Sequence, residues 1–238
     1  MKLIVSGATG FVAREVIRQS LSRSEITSVV ALARKPVSTP EKLPEGADPS
    51  KLKSIIVEDY DRYSEEAKRE FAGASACIWT VAITPSKSKA YDFEEVKRVC
   101  QTSTLVGLRA MQESGLSKPF RFLYMSGAAA ERDPTKTPKF QPEYSHMRGE
   151  TETKVLALAA ELGDIEVTVA KPGLITAPGE IMRSVTATVV KLTMGIPSID
   201  VADLATVMLD QVVNGFDKEP LTPEDLAARI PRNKSDKS

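Results

Sequence analysis

The 238-residue sequence predicts an α/β fold in which a doubly wound parallel sheet carries helices on both of its faces. Three observations support this fold class. Short apolar runs alternate with longer helical stretches along most of the chain. The run at 29–33 is apolar without interruption, which is typical of a strand covered on both faces. A turn with two glycines, at 7–13, connects the first strand directly to the first helix.

The first half of the chain supplies four strands. The strand at 2–6 is an apolar run that ends at Gly7, and a helix at 11–21 follows the turn. The strand at 28–34 contains the uninterrupted apolar run, and the next stretch, 35–50, is rich in proline, serine, glycine and charge, which predicts a loop. Then follow a strand at 54–58, a short charged helix at 64–72 and a strand at 76–81.

The second half continues the alternation as far as the sixth strand. Its elements are a long helix at 91–114, a strand at 121–125, a loop with three prolines at 131–142, a helix at 145–162 and a strand at 166–170. The stretch at 174–200 mixes apolar residues with glycine and proline and predicts a small C-terminal substrate cap. A helical pattern returns at 201–214. We expect a single domain over 1–230 and a disordered polar tail at 231–238.

Composition narrows the possible functions. With 42% hydrophobic residues the chain can bury a core, and its net charge of zero favours neither nucleic acid nor an anionic membrane as a partner. Cys77, Cys100 and a single histidine do not make a zinc site, so we expect buried free thiols and no metal. No apolar run is long enough to span a membrane, and the N-terminus enters a strand at once, which predicts a cytoplasmic protein without a signal peptide.

The turn after the first strand predicts a phosphate-binding site. Gly7 permits a tight exit from the strand, Gly10 lets the backbone approach a pyrophosphate, and Ala13 lets the helix pack closely on the sheet. N–H groups at the start of the helix would bind the anion, aided by the helix dipole. The fold is therefore expected to be of the Rossmann type, with phosphate contacts from Gly7, Ala8, Thr9, Gly10, Phe11 and Val12.

The end of the second strand bears on the choice of cofactor. A carboxylate there would bind the adenosine ribose of NAD, whereas Arg34 and Lys35 suit the 2′-phosphate of NADP. The alternative is that both are solvated surface charges. Asp59, after the third strand, is a candidate acceptor for the adenine amino group or simply a loop aspartate, and Tyr60 beside it is included in the predicted cofactor site.

Five segments together resemble a known family. They are 3–16, Asp59, Met125-Ser126-Gly127, Tyr144-x-x-x-Arg148-Gly149-Glu150 and Lys171-Pro172-Gly173. Over about residues 1–215 the chain resembles the short-chain dehydrogenase/reductase superfamily. It is most similar to the atypical branch of small NAD(P)-binding proteins, called nucleoside-diphosphate-sugar epimerase-like or NmrA-like. Many fungal members of that branch belong to secondary metabolism.

The resemblance implies a catalytic set. Tyr144 would be the general acid or base, and Arg148 would share its helix face four residues later. Ser126 would either polarise the substrate oxygen or be structural, since many relatives carry the catalytic hydroxyl at one of the positions that here are Gly127, Ala128 and Ala129. A nearby cation and the positive charge of the nicotinamide are expected to lower the pKa of the phenol from about 10. The family pattern has lysine where this chain has Arg148, which can hold the nicotinamide ribose but does not readily lose a proton. Cys100 stands where relatives often carry Asn or Asp.

Further cofactor contacts are expected at the carboxyl edge of the sheet, where ligands bind in open α/β folds. The candidates are Val81 and Ala82 after the fourth strand, and Lys171, Pro172 and Gly173 after the sixth.

These residues together predict an NADP-dependent oxidoreductase that acts on a carbonyl or an activated double bond of a small apolar metabolite, as a monomer or homodimer. Two alternatives stay open: a non-redox isomerase or cyclase that keeps the cofactor as a scaffold, and an NADP-binding regulatory protein without catalysis.

Overall fold

The computed structural model describes residues 1–177 and 197–231. Its centre is a six-stranded, all-parallel sheet in the order β3-β2-β1-β4-β5-β6. The strands are β1 (Lys2–Ser6), β2 (Ser28–Ala33), β3 (Leu52–Ile56), β4 (Ala76–Trp79), β5 (Phe120–Met125) and β6 (Ile165–Ala170). The order reverses between β1 and β4, which is the arrangement of a doubly wound Rossmann sheet. The predicted fold class is confirmed.

Helices cover both faces of this sheet. They are α1 (Phe11–Ser20), α2 (Glu65–Phe71), α3 (Pro85–Ser88), α4 (Phe93–Lys97), α5 (Ser103–Glu113), α6 (Pro142–Leu162), α7 (Val201–Asn214) and α8 (Pro223–Ala228). α1, α7 and α8 pack into the apolar core on one face, and α2, α5 and α6 into the core on the other. Because β1, β2 and β4 are covered on both faces, nearly all of their side chains are buried, as the run at 29–33 predicted.

Several elements differ by one or two residues from their predicted bounds, and β4 ends at Trp79 rather than residue 81. Three differences have an evident cause or consequence. β3 spans Leu52–Ile56 rather than 54–58, and this edge strand tolerates the polar Lys53 because the position is exposed. α6 begins at Pro142 rather than Ser145, since the fixed backbone of proline suits the first turn of a helix. The helix predicted at 91–114 contains a π-helical segment, Arg98–Thr102, between α4 and α5.

Beyond the main sheet, β7 (Leu174–Thr176) and β8 (Ser198–Asp200) form a small parallel pair that the sequence patterns did not predict. Most of the predicted substrate cap, 178–196, and residues 232–238 of the predicted disordered tail lie outside the described residues. Within 1–177 and 197–231, no helix has the length and apolarity that crossing a bilayer requires. The same residues contain no cluster of His, Cys, Asp and Glu suited to a metal ion.

Candidate cofactor and active site

Gly7 and Gly10 shape the turn between β1 and α1. Gly7 has a φ of +76°, and a Cβ at this position would lie 2.7 Å from Oγ1 of Thr80 and 3.2 Å from the backbone of Val81. The N–H of Gly10 donates to the carbonyl of Gly7 at 2.7 Å, and a Cβ at Gly10 would lie 3.0 Å from that same oxygen. A side chain at Gly7 would therefore both strain the backbone and press against the end of β4.

Tyr60 supports this turn through two hydrogen bonds of its hydroxyl. Its hydroxyl accepts a hydrogen bond from the N–H of Gly7 at 3.1 Å and donates to the carbonyl of Leu32 at 2.8 Å. The N–H of Ala8 donates to the same carbonyl at 2.9 Å. Burial raises the pKa of Tyr60 to about 12, so the phenol stays a neutral donor at physiological pH. Tyr60, predicted to bind the cofactor, thus fixes the turn to the end of β2.

The turn fits the pyrophosphate of a dinucleotide. Gly10 precedes α1 in an extended conformation and no side chain caps the helix, while Thr9 and Gly10 are exposed. Ala8 and Val12 are buried, so their side chains pack inward, and the N–H of Ala8 is already bonded to the carbonyl of Leu32. A helix start that presents N–H groups and the positive end of the helix dipole suits an anionic group.

Arg34 and Lys35 follow the last residue of β2, and both are exposed. Burial raises the pKa of Tyr60, and the positive charge of Arg34 partly opposes this rise. Arg34 is therefore close enough to the turn to act on the phenol that supports it. Arg34 and Lys35 thus lie at the end of β2, the strand end at which an adenosine ribose is expected, and their contact with a 2′-phosphate remains a prediction.

Asp59 lies in an ionic cluster with the π-helical segment. Its carboxylate accepts from the N–H of Asp61 at 3.0 Å and from Nη1 of Arg98 at 3.1 Å. The backbone hydrogen bond from Asp61 is the largest influence that lowers the pKa of Asp59. Ser64, and not Asp59, caps α2, by accepting from the N–H of Ala67. Any contact between Asp59 and an adenine remains a prediction.

Tyr144 lies in the first turn of α6, and its hydroxyl donates to the carbonyl of Ile83 at 2.9 Å. Burial raises the pKa of Tyr144, and the nearby charge of Arg148 only partly opposes this rise. Arg148 alone therefore does not lower the phenol pKa, because the cost of burying a phenolate exceeds the effect of the cation. The further lowering expected from the nicotinamide charge stays a prediction.

Arg148 is buried at the carboxyl end of β5, with 4% of its surface exposed. Its Nη2 donates to the carbonyl of Met125 at 2.8 Å, and its guanidinium carbon lies 5.1 Å from the centre of the Tyr124 ring. Burial acts to lower the pKa of Arg148, but the electrostatic effects of Tyr124, Tyr144 and Cys100 outweigh it and the net shift is upward. Arg148 therefore keeps its positive charge beside Tyr144.

Ser126 does not join this pair. Its hydroxyl donates to Oε1 of Glu152 at 2.5 Å, and Glu152 is fully buried. The other oxygen of that carboxylate accepts from Nε of Arg132 at 2.6 Å and from Nζ of Lys171 at 3.2 Å. Sequence reasoning missed Glu152; its position four residues after Arg148 in α6 was the available signal.

The remaining predicted cofactor residues lie at the ends of β4 and β6. Val81 is buried and Ala82 half-buried, just beyond Trp79. Lys171 is held by Glu152 and by the carbonyl of Ala130 at 2.7 Å. Pro172 is buried and accepts at its carbonyl from the N–H of Ala128, while Gly173 is half-buried. Lys171 is therefore occupied in a protein ion pair.

Comparisons with known proteins agree with this geometry. The chain is 28% identical over 128 residues to Leucinostatins biosynthesis cluster protein T of Purpureocillium lilacinum; the match covers 53% of this chain but only 42% of that relative. The structure resembles MoeE5 in complex with UDP-glucuronic acid and NAD, with a TM-score of 0.67 and 18% identity, over 92% of this chain and 74% of that one. It also resembles the PhqB reductase domain from Penicillium fellutanum, with a TM-score of 0.67 and 15% identity, over 94% of this chain and 67% of that one.

The two structural likenesses, both at low identity, support the fold. The family itself follows from a sequence model described as NAD(P)H-binding, which matches residues 7–214 and so begins at the first glycine of the turn. The resemblance to small NAD(P)-binding proteins is thereby confirmed, and the chain belongs to the NAD(P)H-binding family.

Proposed function

We propose that this protein is an NADP-dependent oxidoreductase of the short-chain dehydrogenase/reductase type, acting on a carbonyl or an activated double bond of a small apolar metabolite. One observation carries the proposal. Tyr144 and Arg148 converge on the carboxyl ends of β4 and β5, through Ile83 and Met125 respectively. This is the sheet edge at which a nucleotide held by the Gly7 turn would present its reactive end.

A bound reduced nicotinamide would supply the hydride. When the carbonyl carbon of the substrate accepts it, the π electron pair of the carbonyl moves to oxygen. Tyr144 would then donate its hydroxyl proton to that oxygen, which forms the new O–H bond and leaves a phenolate. Arg148, buried beside the phenol, would stabilise the phenolate until water returns the proton. Before this transfer the hydroxyl proton must turn from the carbonyl of Ile83 to the substrate oxygen, while the phenol oxygen keeps its place, so the observed geometry is a resting one.

The metabolic setting is part of the proposal. The related protein from Purpureocillium lilacinum is described as a member of a biosynthesis cluster, and the structurally similar PhqB domain is described as a reductase. We therefore place this protein in secondary metabolism, as a reductase of a biosynthetic intermediate.

Replacing Tyr144 with phenylalanine tests the proton donor. Because Tyr144→Phe removes the transferable proton and little volume, kcat should fall by about 10²–10⁴-fold. The Kd for NADPH should stay unchanged, since the phenol does not hold the cofactor phosphates. The measurement is NADPH oxidation across a panel of aldehydes, ketones and enones. Tyr91→Phe, at an exposed tyrosine, is the matched control. Equal turnover by Tyr144→Phe and the parent would exclude this mechanism.

The preference for NADP is proposed from Arg34 and Lys35. Because a guanidinium forms charge-assisted bonds with a 2′-phosphate, Arg34→Ala should weaken NADPH binding by about tenfold or more and NADH binding much less. Calorimetric titration of both cofactors measures the difference. Arg69→Ala removes an exposed charge from α2 and should leave both affinities unchanged. Equal losses for the two cofactors in Arg34→Ala would contradict the assignment.

A second candidate is an NADP-binding regulatory protein without chemistry. It is favoured by the Ser126 hydroxyl, which is bonded to buried Glu152 rather than directed at a substrate together with Tyr144. Such a protein would bind NADPH in calorimetry, oxidise it with no member of the panel, and be insensitive to Tyr144→Phe. A non-redox isomerase or cyclase would instead convert a substrate without net change in the amount of NADPH.

A further inference from the structure

Cys100 hydrogen-bonds Ile83 and also contacts Arg148, and no step of the chemistry above uses its thiol. It is a fully buried thiol in the π-helical segment. Its sulfur accepts a hydrogen bond from the N–H of Ile83 at 3.3 Å and lies 3.7 Å from the carbonyl oxygen of Ile83. That same carbonyl accepts the hydrogen bond from Tyr144 at 2.9 Å. The thiol thus binds the N–H of Ile83, and the phenol binds its carbonyl.

The backbone at Ile83 needs such partners. β4 ends at Trp79, so Ile83 lies beyond the strand and its N–H and carbonyl are outside the hydrogen bonds of the sheet. Ile83 is half-buried, and where water does not reach its polar groups they depend on acceptors and donors from the protein. Cys100 and Tyr144 supply them, within a small apolar cluster that also contains Val96 and Met147.

The π-helical segment fixes where the thiol lies. At its start, Arg98 pairs with Asp61 at 2.6 Å, and immediately after it Ser103 donates to the other oxygen of Asp61 at 2.6 Å. Gln101, next to Cys100, donates to Glu150 of α6 at 3.1 Å. Irregular helical turns of this kind recur at functional sites. These contacts hold the π-helical segment, and with it the Cys100 sulfur, independently of Ile83. The sulfur can therefore restrain the position of the Ile83 backbone.

We propose that Cys100 is a positioning residue for Tyr144: the thiol fixes the backbone of Ile83, and Ile83 fixes the hydroxyl of the proton donor. The charged and titratable groups that face Tyr144 are Arg148 on its own helix, Cys100 on the π-helical segment and Tyr124 on β5. The catalytic value of this arrangement rests on the proposed function, whereas the arrangement itself does not.

Three variants of the full-length chain test the proposal. Cys100→Ala removes the acceptor, Cys100→Ser restores a smaller one, and Val96→Ala makes a cavity in the same cluster without altering a hydrogen bond. The first readout is hydrogen exchange at the Ile83 amide. We expect about tenfold faster exchange in Cys100→Ala, because the lost bond is worth about 1 kcal/mol. Cys100→Ser and Val96→Ala should stay close to the parent.

The second readout is the ¹³C resonance of Tyr144 Cζ at neutral pH, assigned with Tyr144→Phe. It should move in Cys100→Ala and return in Cys100→Ser. Where turnover is measurable, kcat of Cys100→Ala should fall about tenfold while KM for NADPH stays constant, because Ile83 no longer fixes the phenol oxygen in the position from which its proton turns to the substrate. An unchanged amide and resonance in Cys100→Ala, or the same changes in Val96→Ala, would overturn the proposal. Loss of the Tyr144→Phe effect on turnover would instead remove the proposed function and leave the two spectroscopic tests intact.

Discussion

Two neighbouring tyrosines show how much a single hydroxyl depends on its partners. Tyr60 is bonded on both sides, to the N–H of Gly7 and the carbonyl of Leu32. Tyr63, three residues later, is half-buried, and its buried hydroxyl has no hydrogen-bond partner among the described residues. Burial raises the pKa of both phenols. Only Tyr60, however, connects its hydroxyl to the turn after β1, so a comparison of the two residues isolates the effect of that hydrogen bond.

Replacing each tyrosine with phenylalanine separates these roles. Tyr60→Phe leaves the N–H of Gly7 without its acceptor and should lower the free energy of unfolding by about 1–3 kcal/mol. It should also weaken NADPH binding, because the turn loses its support. Tyr63→Phe removes an unpaired polar group and should leave stability unchanged or slightly increased. Urea unfolding and NADPH titration measure both effects. Equal destabilisation by the two substitutions would show that ring packing, and not the Gly7 hydrogen bond, matters at Tyr60.

At the scale of elements, the π-helical segment joins two parts of the candidate site. Arg98, its first residue, binds Asp59 and Asp61 in the loop after β3, where the adenosine end of a cofactor is expected. Cys100, two residues later, holds Ile83 after β4. A regular helix would rotate one of these side chains away from its partner, since the π turn accommodates one additional residue. The irregular segment therefore lets one helix contact both strand ends.

The elements also show what the sequence could predict. The apolar runs of β1, β2 and β4 and the turn at Gly7 are local signals, because burial on both faces and positive φ restrict the residue types at each position. The π turn has no comparable local signal. Its position depends on Arg98 and Cys100 meeting partners far along the chain, and only the folded structure brings these together.

The same distinction applies to the candidate site. The pairing of Tyr144 with Arg148 follows from helical spacing and could be predicted. The partner of Ser126 could not be predicted, because Ser126 follows β5 whereas Glu152 is in α6. Which hydrogen bond Ser126 forms depends on how the fold brings Glu152 and Arg132 together. Asp59 was predicted from its position after β3, but its neighbour in space, Arg98, comes from a different helix.

At the scale of the whole molecule, Glu152 connects segments that are distant in sequence. It binds Ser126 after β5, Arg132 in the following loop and Lys171 after β6. Arg132 in turn binds Glu219, in the segment before α8. The four charged side chains form two positive and two negative groups, so the network is neutral. Burying it is tolerated because each charge faces an opposite one.

Neutralising Glu152 should therefore destabilise the whole domain. Glu152→Gln keeps the size of the side chain but leaves Arg132 and Lys171 with one carboxylate between them. We expect the free energy of unfolding to fall by about 3 kcal/mol, because a buried pair is broken on one side only. Glu150→Gln, two residues earlier, is the matched control, since Glu150 is half exposed and pairs with Lys154 at the surface. Its effect should stay within about 0.5 kcal/mol. Chemical unfolding of both variants gives the comparison, and a loss in Glu152→Gln no larger than that in Glu150→Gln would show that the network does not hold the strand ends together.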